Sequence, residues 1–294
     1  MKTTLKLFTI SVALFVFVAC SDDNDSDSLE FTVTSISPES GPVGTEITIT
    51  GTNFPTDASG INLTFNGVVA TISSVNSSEI VTSVPVGAAS GTVSISIDGV
   101  AKNTPANFTV LSELVTRSVS NLFAPQTGGQ GQGEISGEFT KFSFETGAET
   151  TSETDWDIAF RGTTIAVNGG VETGTNDEPI RNGEGAAALV DGIFSEVNSV
   201  DGLTFTQDAG AAFAIPSGSD NGWYNYNFMT NLVTPIPGKV LVFRTHDGRY
   251  AKVEILSYYE NAPVNPDGFT TPSRYYTFNF VYNPNEGETT LAAN

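Results

Sequence analysis

The chain has one cysteine, one histidine and two methionines in 294 residues, and only 12 Lys and Arg against 33 Asp and Glu. A single cysteine excludes a disulfide within the chain. One Cys and one His cannot supply the several ligands that a zinc site needs. Ser-His-Asp and Cys-His constellations need a base beside the nucleophile, and the sole histidine, His246, stands next to an Asp247-Gly248 turn. With a net charge of −21 and no basic cluster, nucleic acid and anionic membrane faces are poor partners, because both are held by grouped Lys and Arg. The acids leave two readings open. One is a carboxylate pair of the glycosidase kind; the other is calcium on the loops at Asn176-Asp177-Glu178 and Asp220-Asn221, although neither loop follows a full binding pattern.

Long stretches free of Gly and Pro are also scarce: 29 Gly and 14 Pro punctuate the chain and favour many short strands over helices. The one long apolar run is at the start. Lys2 and Lys6 precede Leu7 to Ala19, which is too short for a comfortable membrane span and ends in Val18-Ala19-Cys20. This arrangement resembles a bacterial lipoprotein signal, in which residues 1–19 are removed and Cys20 becomes the lipidated first residue. An ordinary secretory signal with an incidental cysteine is the alternative. Cleavage would remove two lysines and no acid, lowering the charge to −23. Residues 20–30 then read as a flexible acidic tether, since SDDNDSD (Ser21 to Asp27) has nothing to bury. The tether resembles the surface-export signals of some lipoproteins, and a plain solvated linker accounts for it equally. The expected location is the outer membrane, exposed at the cell surface and anchored through Cys20.

Residues 31–111 read as a first domain. Alternating β-branched segments recur at Glu46 to Gly51, Leu63 to Gly67, Glu79 to Val81 and Gly91 to Gly99, separated by turns such as Gly41-Pro42-Val43-Gly44. Strands at that spacing predict an antiparallel sandwich. ISPESGPVGTEITITGTNF (Ile36 to Phe54), LTFNGVVA (Leu63 to Ala70) and VPVGAASGTVSISIDG (Val84 to Gly99) resemble the immunoglobulin-like IPT/TIG module. That resemblance implies a spacer or interaction module without catalytic residues.

Residues 112–294 read as a larger antiparallel, β-rich domain, which makes the whole chain all-β. Its firmest local feature is Lys239 to Tyr259. Val240 to Phe243 lead through Asp247-Gly248 to Tyr250, Val253, Ile255 and Tyr259, a hairpin with an expected type I′ turn. Trp156, Ile158 and Phe160 alternate with Asp157, Ala159 and Arg161; Tyr276, Phe278, Phe280 and Tyr282 alternate with Tyr275, Thr277, Asn279 and Val281. Each predicts a strand with one buried aromatic face, joined with the hairpin in a single sheet. TGGQGQG (Thr127 to Gly133) reads as a mobile loop, because no Lys-Ser/Thr or helix follows to make a phosphate cradle. Residues 171–187 predict an exposed loop, with short helices at Ala186 to Val190 and Phe194 to Val197.

FSFETG (Phe142 to Gly147), TDWDIAFRG with NGG beyond it, VLVFRTHDGRYAKVEILSYY and YYTFNFVY together are similar to the HmuY-like family of haem-binding lipoproteins. The resemblance implies an all-β carrier with a haem pocket between sheet ends, and an outer-membrane uptake receptor or a host haem protein as exchange partners. It also implies an axial histidine directly after the WD-x-A-x motif. That position is Arg161, whose charged guanidinium has no lone pair for iron. The family's second ligand lies further on, and residues 171–222 hold neither His nor Met. The remaining candidates for haem are Met229, which could ligate or fill a gap; Tyr224 and Tyr226, which could ligate or line a groove; and His246, which could ligate or sit solvated. Arg161 could pair with a propionate or with an acid of the chain. The expected function is non-enzymatic binding of haem or a related planar, hydrophobic ligand. A carbohydrate- or protein-binding module that kept the fold without haem ligation is the alternative, and a structural adhesin subunit is a further one.

Overall fold

A computed structural model describes residues 30–129 and 131–292. The signal segment, Cys20 and the acidic tether up to residue 29 lie outside the described residues. The described chain divides into two compact units, residues 30–39 with 46–108, and residues 40–45 with 109–292.

In the first unit, strands Thr32–Ser37, Glu46–Thr52, Glu79–Ser83 and Ile72–Val75 form one sheet in that order; Val68–Val69, Ile61–Phe65, Val93–Ile97 and Val100–Asn103 form the other. Every pairing within the two sheets is antiparallel. Ile47, Ile49, Ile80, Leu63, Phe65 and Ile95 are buried, and each lies two residues or a strand away from the next on the inward face. Phe65 and Phe108 meet edge to face at 5.4 Å. This is the expected sandwich.

The second unit also stacks two sheets. The larger has five antiparallel strands in the order Val115–Phe123, Ser273–Asn283, Tyr250–Tyr259, Lys239–Arg244 and Ala186–Asp191. The smaller orders Ala148–Glu149, Thr140–Ser143, Ile158–Arg161 and Thr164–Val167. Facing rings fill the space between them. Phe142 meets Phe278 at 5.4 Å and Phe280 at 5.8 Å, Phe144 meets Phe243 at 5.8 Å, and Phe160 meets Tyr276 at 4.7 Å. Such pairs add about 0.5–1.5 kcal/mol each beyond area burial.

Several expectations change here. Trp156 to Arg161 does not join the hairpin's sheet; Ile158–Arg161 belongs to the smaller one. Both of its faces are buried. Ile158 and Phe160 point into the aromatic layer, whereas Trp156 packs with Phe139, Ala159 and Ala166 on the outer side, where Phe213 covers them. The hairpin turn is longer than a type I′ turn. Gly248 N–H donates to Thr245 O at 3.2 Å, Thr245 N–H donates to Arg249 O at 2.8 Å, and in the turn only Gly248 has positive φ. The result is a three-residue loop, His246 to Gly248, that ends on a left-handed glycine, a wider solution than a two-residue loop. Ala186–Asp191 is a strand paired with Lys239–Arg244, and Phe194–Glu196 is one 3₁₀ turn. The glycine-rich segment is tied back by a Thr127–Ser136 bridge and by Gly129 N–H donating to Gly133 O at 2.9 Å.

Residues 171–185 form a largely exposed loop as expected, with Ala186 and Ala187 in the strand that follows, and a buried ion cluster pins the loop. Arg181 Nη2 lies 2.7 Å from Glu178 Oε2 and 2.9 Å from Asp208 Oδ2, and all three side chains are at most 2% exposed. Burial works against ionised Glu178, but hydrogen bonds from Thr173 and Thr175 outweigh it and hold the carboxyl at about 2. Asp208 is pushed above the usual carboxylate range by burial, although Ala214 and Val167 N–H groups and Arg181 all bond to it. Glu178 is thus occupied by the chain itself, and Asp177 Oδ2 accepts from Gly137 N–H at 2.8 Å.

Candidate functional site: a tyrosine-lined cleft

At one end of the second unit a cleft of about 550 Å³ opens beside the Trp223 segment. That volume lies inside the usual range for small-ligand sites, about 300–1,000 Å³. Three segments build it. Tyr224 and Tyr226 come from the hairpin strand Tyr224–Asn227, which pairs with Leu232–Pro235. Tyr258 and Tyr259 end one long strand of the large sheet, and Ser273 and Arg274 begin the next. Gln126, Gln132 and Thr163 close the other side.

Hydrogen bonds hold this rim. Tyr226 Oη donates to Asn231 Oδ1 at 2.9 Å, and Asn231 Nδ2 donates to Gly268 O at 2.6 Å. Tyr259 Oη accepts from Val233 N–H at 2.9 Å, and Thr163 Oγ1 donates to Tyr224 Oη at 3.3 Å. Beneath them Trp223 is buried against Tyr224, Tyr258 and Tyr276 at 5.0, 5.8 and 5.2 Å. Its Nε1–H donates to Thr163 O at 3.0 Å, and Tyr276 Oη donates to Gly162 O at 2.9 Å. Two core aromatics therefore fix the Gly162-Thr163 turn that forms one wall. Burial pushes the phenols of Tyr258, Tyr259 and Tyr276 up, so they stay protonated at neutral pH.

Of the residues singled out from the sequence, Tyr224 and Tyr226 line the cleft. Arg161 does not. It is 1% exposed on the outer side of the smaller sheet, with its guanidinium 4.2 Å from the Phe139 ring centroid. It donates to Asn176 O, to Thr175 Oγ1 at 2.7 Å and to Gly137 O at 3.4 Å, and burial lowers its pKa. It binds its own loops; among the described residues no close ion pair includes it, although the charges of Glu178 and Asp177 nearby favour its ionised form. Met229 is 73% exposed at the tip of the turn after Tyr224–Asn227, and lines no part of the cleft. It neither fills a core gap nor faces the site. His246 stands at the other end of the same long strand, Tyr250–Tyr259, whose ten residues span roughly 30 Å. Its Nδ1 lies 2.7 Å from Asp157 Oδ1, which also accepts the His246 N–H at 3.1 Å. The bond to Asp157 raises the imidazole's pKa. Asp157 Oδ2 accepts from Phe144 N–H at 2.7 Å, so this one carboxylate joins the two sheets. Sequence reasoning missed Tyr258, Tyr259 and Arg274 as site residues; the doublets Tyr258-Tyr259 and Tyr275-Tyr276 at strand ends were the available sign.

Residues 32–110 match the IPT/TIG domain, and residues 136–280 match the HmuY protein family. The chain is an IPT/TIG domain followed by an HmuY-like domain. No curated protein matches it. Among solved structures it is similar to the apo HmuY analog of Tannerella forsythia, at 16% identity over 60% of this chain and 99% of that one, with a TM-score of 0.36. An auxiliary nutrient binding protein from Bacteroides ovatus is 14% identical over 84% of this chain and 60% of that one, TM-score 0.28. A structural genomics protein of unknown function from Bacteroides thetaiotaomicron is 14% identical, TM-score 0.27; the match covers 73% of this chain and only 46% of that one. The cleft belongs to the HmuY-like part of the chain, whereas Arg161 of its WDIAFR motif serves the outer loops.

Proposed function

We propose that this chain is a surface lipoprotein, anchored in the outer membrane through Cys20, whose HmuY-like domain captures haem or a related planar, hydrophobic ligand without catalysis and passes it on for iron acquisition. The observation that carries the reading is the cleft itself: a recess of ligand size lined by four tyrosines, of which Tyr226 is exposed while Tyr224, Tyr258 and Tyr259 are largely buried in the core over Trp223. The Tyr226 ring is the face free to stack on a flat ring. No His or Met lines the recess, and raised phenol pKa values at Tyr258 and Tyr259 oppose a phenolate ligand for iron. Contact with the macrocycle face, rather than axial ligation by an imidazole, is therefore the expected mode. The exchange partner is an uptake receptor or a host haem protein.

Titrating the mature chain with haemin tests the reading: a saturable shift of the Soret band is expected, and its absence removes the claim. Cys20→Ala is expected to abolish incorporation of labelled fatty acid and to release the protein from membranes; retained label would remove the anchor. A second reading is favoured by the amides of Gln126, Gln132 and Asn231 at the rim, which suit sugar hydroxyls as well as aromatic stacking does. Specific hits on a glycan array, with haemin silent, would decide for it.

A further inference from the structure

The large sheet is irregular where it meets the cleft. Between the pairs Ser257–Thr277 and Tyr259–Ser273, four steps along one strand oppose two along its neighbour, and within that bulge Arg274 has φ +70°. A non-glycine side chain in the left-handed region is disfavoured, and such bulges re-aim a side chain that a regular pleat would direct elsewhere. The backbone is held there by Ala124 N–H, which donates to Arg274 O at 2.8 Å. The guanidinium reaches the cleft, where it donates to Gln126 O and lies beside the Tyr258 hydroxyl. A guanidinium carries five N–H donors, and a carboxylate takes two of them as a fork.

The surroundings give that arginine no anion. Among the described residues no ion pair includes Arg274. The chain has 33 acids to 12 bases, yet the cleft is lined by one arginine and by no Asp or Glu. A cation held in a disfavoured conformation and kept free of the abundant acids is suited to an anion from outside. We propose that Arg274 receives a carboxylate of the ligand, so that the cleft selects ring compounds bearing a carboxylate, such as a porphyrin propionate or a uronic acid, over their neutral esters. This inference rests on the cleft being the ligand site.

The test compares two pairs of probes on the mature chain: haemin with its dimethyl ester, and a glucuronic-acid-terminated oligosaccharide with its methyl ester. At least one acid is expected to bind about tenfold or more tightly than its ester, the worth of a charge-assisted hydrogen bond. Asparagine tolerates the left-handed region, so Arg274→Asn removes the cation without adding backbone strain; its acid-to-ester ratio is expected to fall to near one with the melting temperature little changed. Arg274→Lys, which keeps the charge, should retain part of the preference. A merely structural strut would alter melting and leave the ratio alone. Equal binding of haemin and its ester, with no preference for the uronic acid either, leaves haem capture standing and overturns the role of Arg274. A preference for the uronic acid with haemin unbound keeps Arg274 and removes haem. An acid-to-ester ratio that survives in Arg274→Asn, or no binding of either acid, overturns the inference.

Discussion

Arg181→Met should be among the most damaging single changes outside the aromatic core. The arginine neutralises two carboxylates at once, at 2.7 and 2.9 Å, with all three side chains out of water. At an effective dielectric of about 20, opposite unit charges about 4 Å apart attract by about 4 kcal/mol. Removing one partner from a buried pair typically costs about 3–5 kcal/mol, because the remaining charge keeps its desolvation penalty. With two acids stranded, the upper end, about 5 kcal/mol, is expected near neutral pH. The loss should also depend on pH with a definite sign. Burial already raises the Asp208 pKa, and losing Arg181 raises it further. A carboxyl with a raised folded-state pKa favours the fold at low pH and loses that contribution as pH rises through it. The gap between variant and native chain should therefore narrow as pH falls from about 7 to about 5. Urea unfolding followed by tryptophan fluorescence suits the measurement, because the only tryptophans, Trp156 and Trp223, both lie in this unit and are at most 2% exposed. A loss under about 1 kcal/mol, or one equal at both pH values, would refute the reasoning.

The His246–Asp157 bond predicts a gap between native chain and variant that instead widens as pH falls. A histidine whose pKa is raised on folding contributes stability in full below its unfolded pKa, about 6.5, and loses it as pH rises through the folded value. The melting-temperature advantage of the native chain over His246→Gln should be larger near pH 6 than near pH 9, with Asp155 and Glu145 adding to the field at the imidazole; a constant advantage would count against it. Trp223→Phe leaves Thr163 O without its donor and should cost about 1–3 kcal/mol in urea unfolding, read by Trp156. Met229→Ala changes an exposed turn tip, and haemin affinity should stay within about twofold; a larger drop would bring that side chain back to the site.

Much of the fold was legible because its signals are local. The stripe Tyr276, Phe278, Phe280 and Tyr282 is buried as its alternation requires, and Lys239 to Tyr259 is a hairpin. What periodicity does not encode is which strands share a sheet, and Ile158–Arg161 went to the other layer. Ala186-Ala187-Ala188-Leu189 has strong helix propensity, yet it forms a strand because its backbone pairs with Lys239–Arg244 on one side and, at Ala187, with Thr206 on the other. The cleft was the least legible part. Tyr224, Tyr258 and Arg274 come from separate segments, and a bulge decides where the arginine points. Arg161 stood out by its place in a motif, but covering loops determine its contacts.

The carboxylate of Asp157 fastens the two layers together at the end far from the recess. There the sandwich is riveted shut; at its opposite margin it parts into turns, strand tips and the loops that border the opening. Side chains at that margin that stand outside the core, such as Gln132 and Tyr226, can be exchanged without disturbing the ring-filled interior or the rivet, whereas Tyr224, Tyr258 and Tyr259 belong to that interior. A scaffold divided in this way keeps its architecture while its choice of guest drifts, so a shared framework with another member is weak testimony about what either one carries.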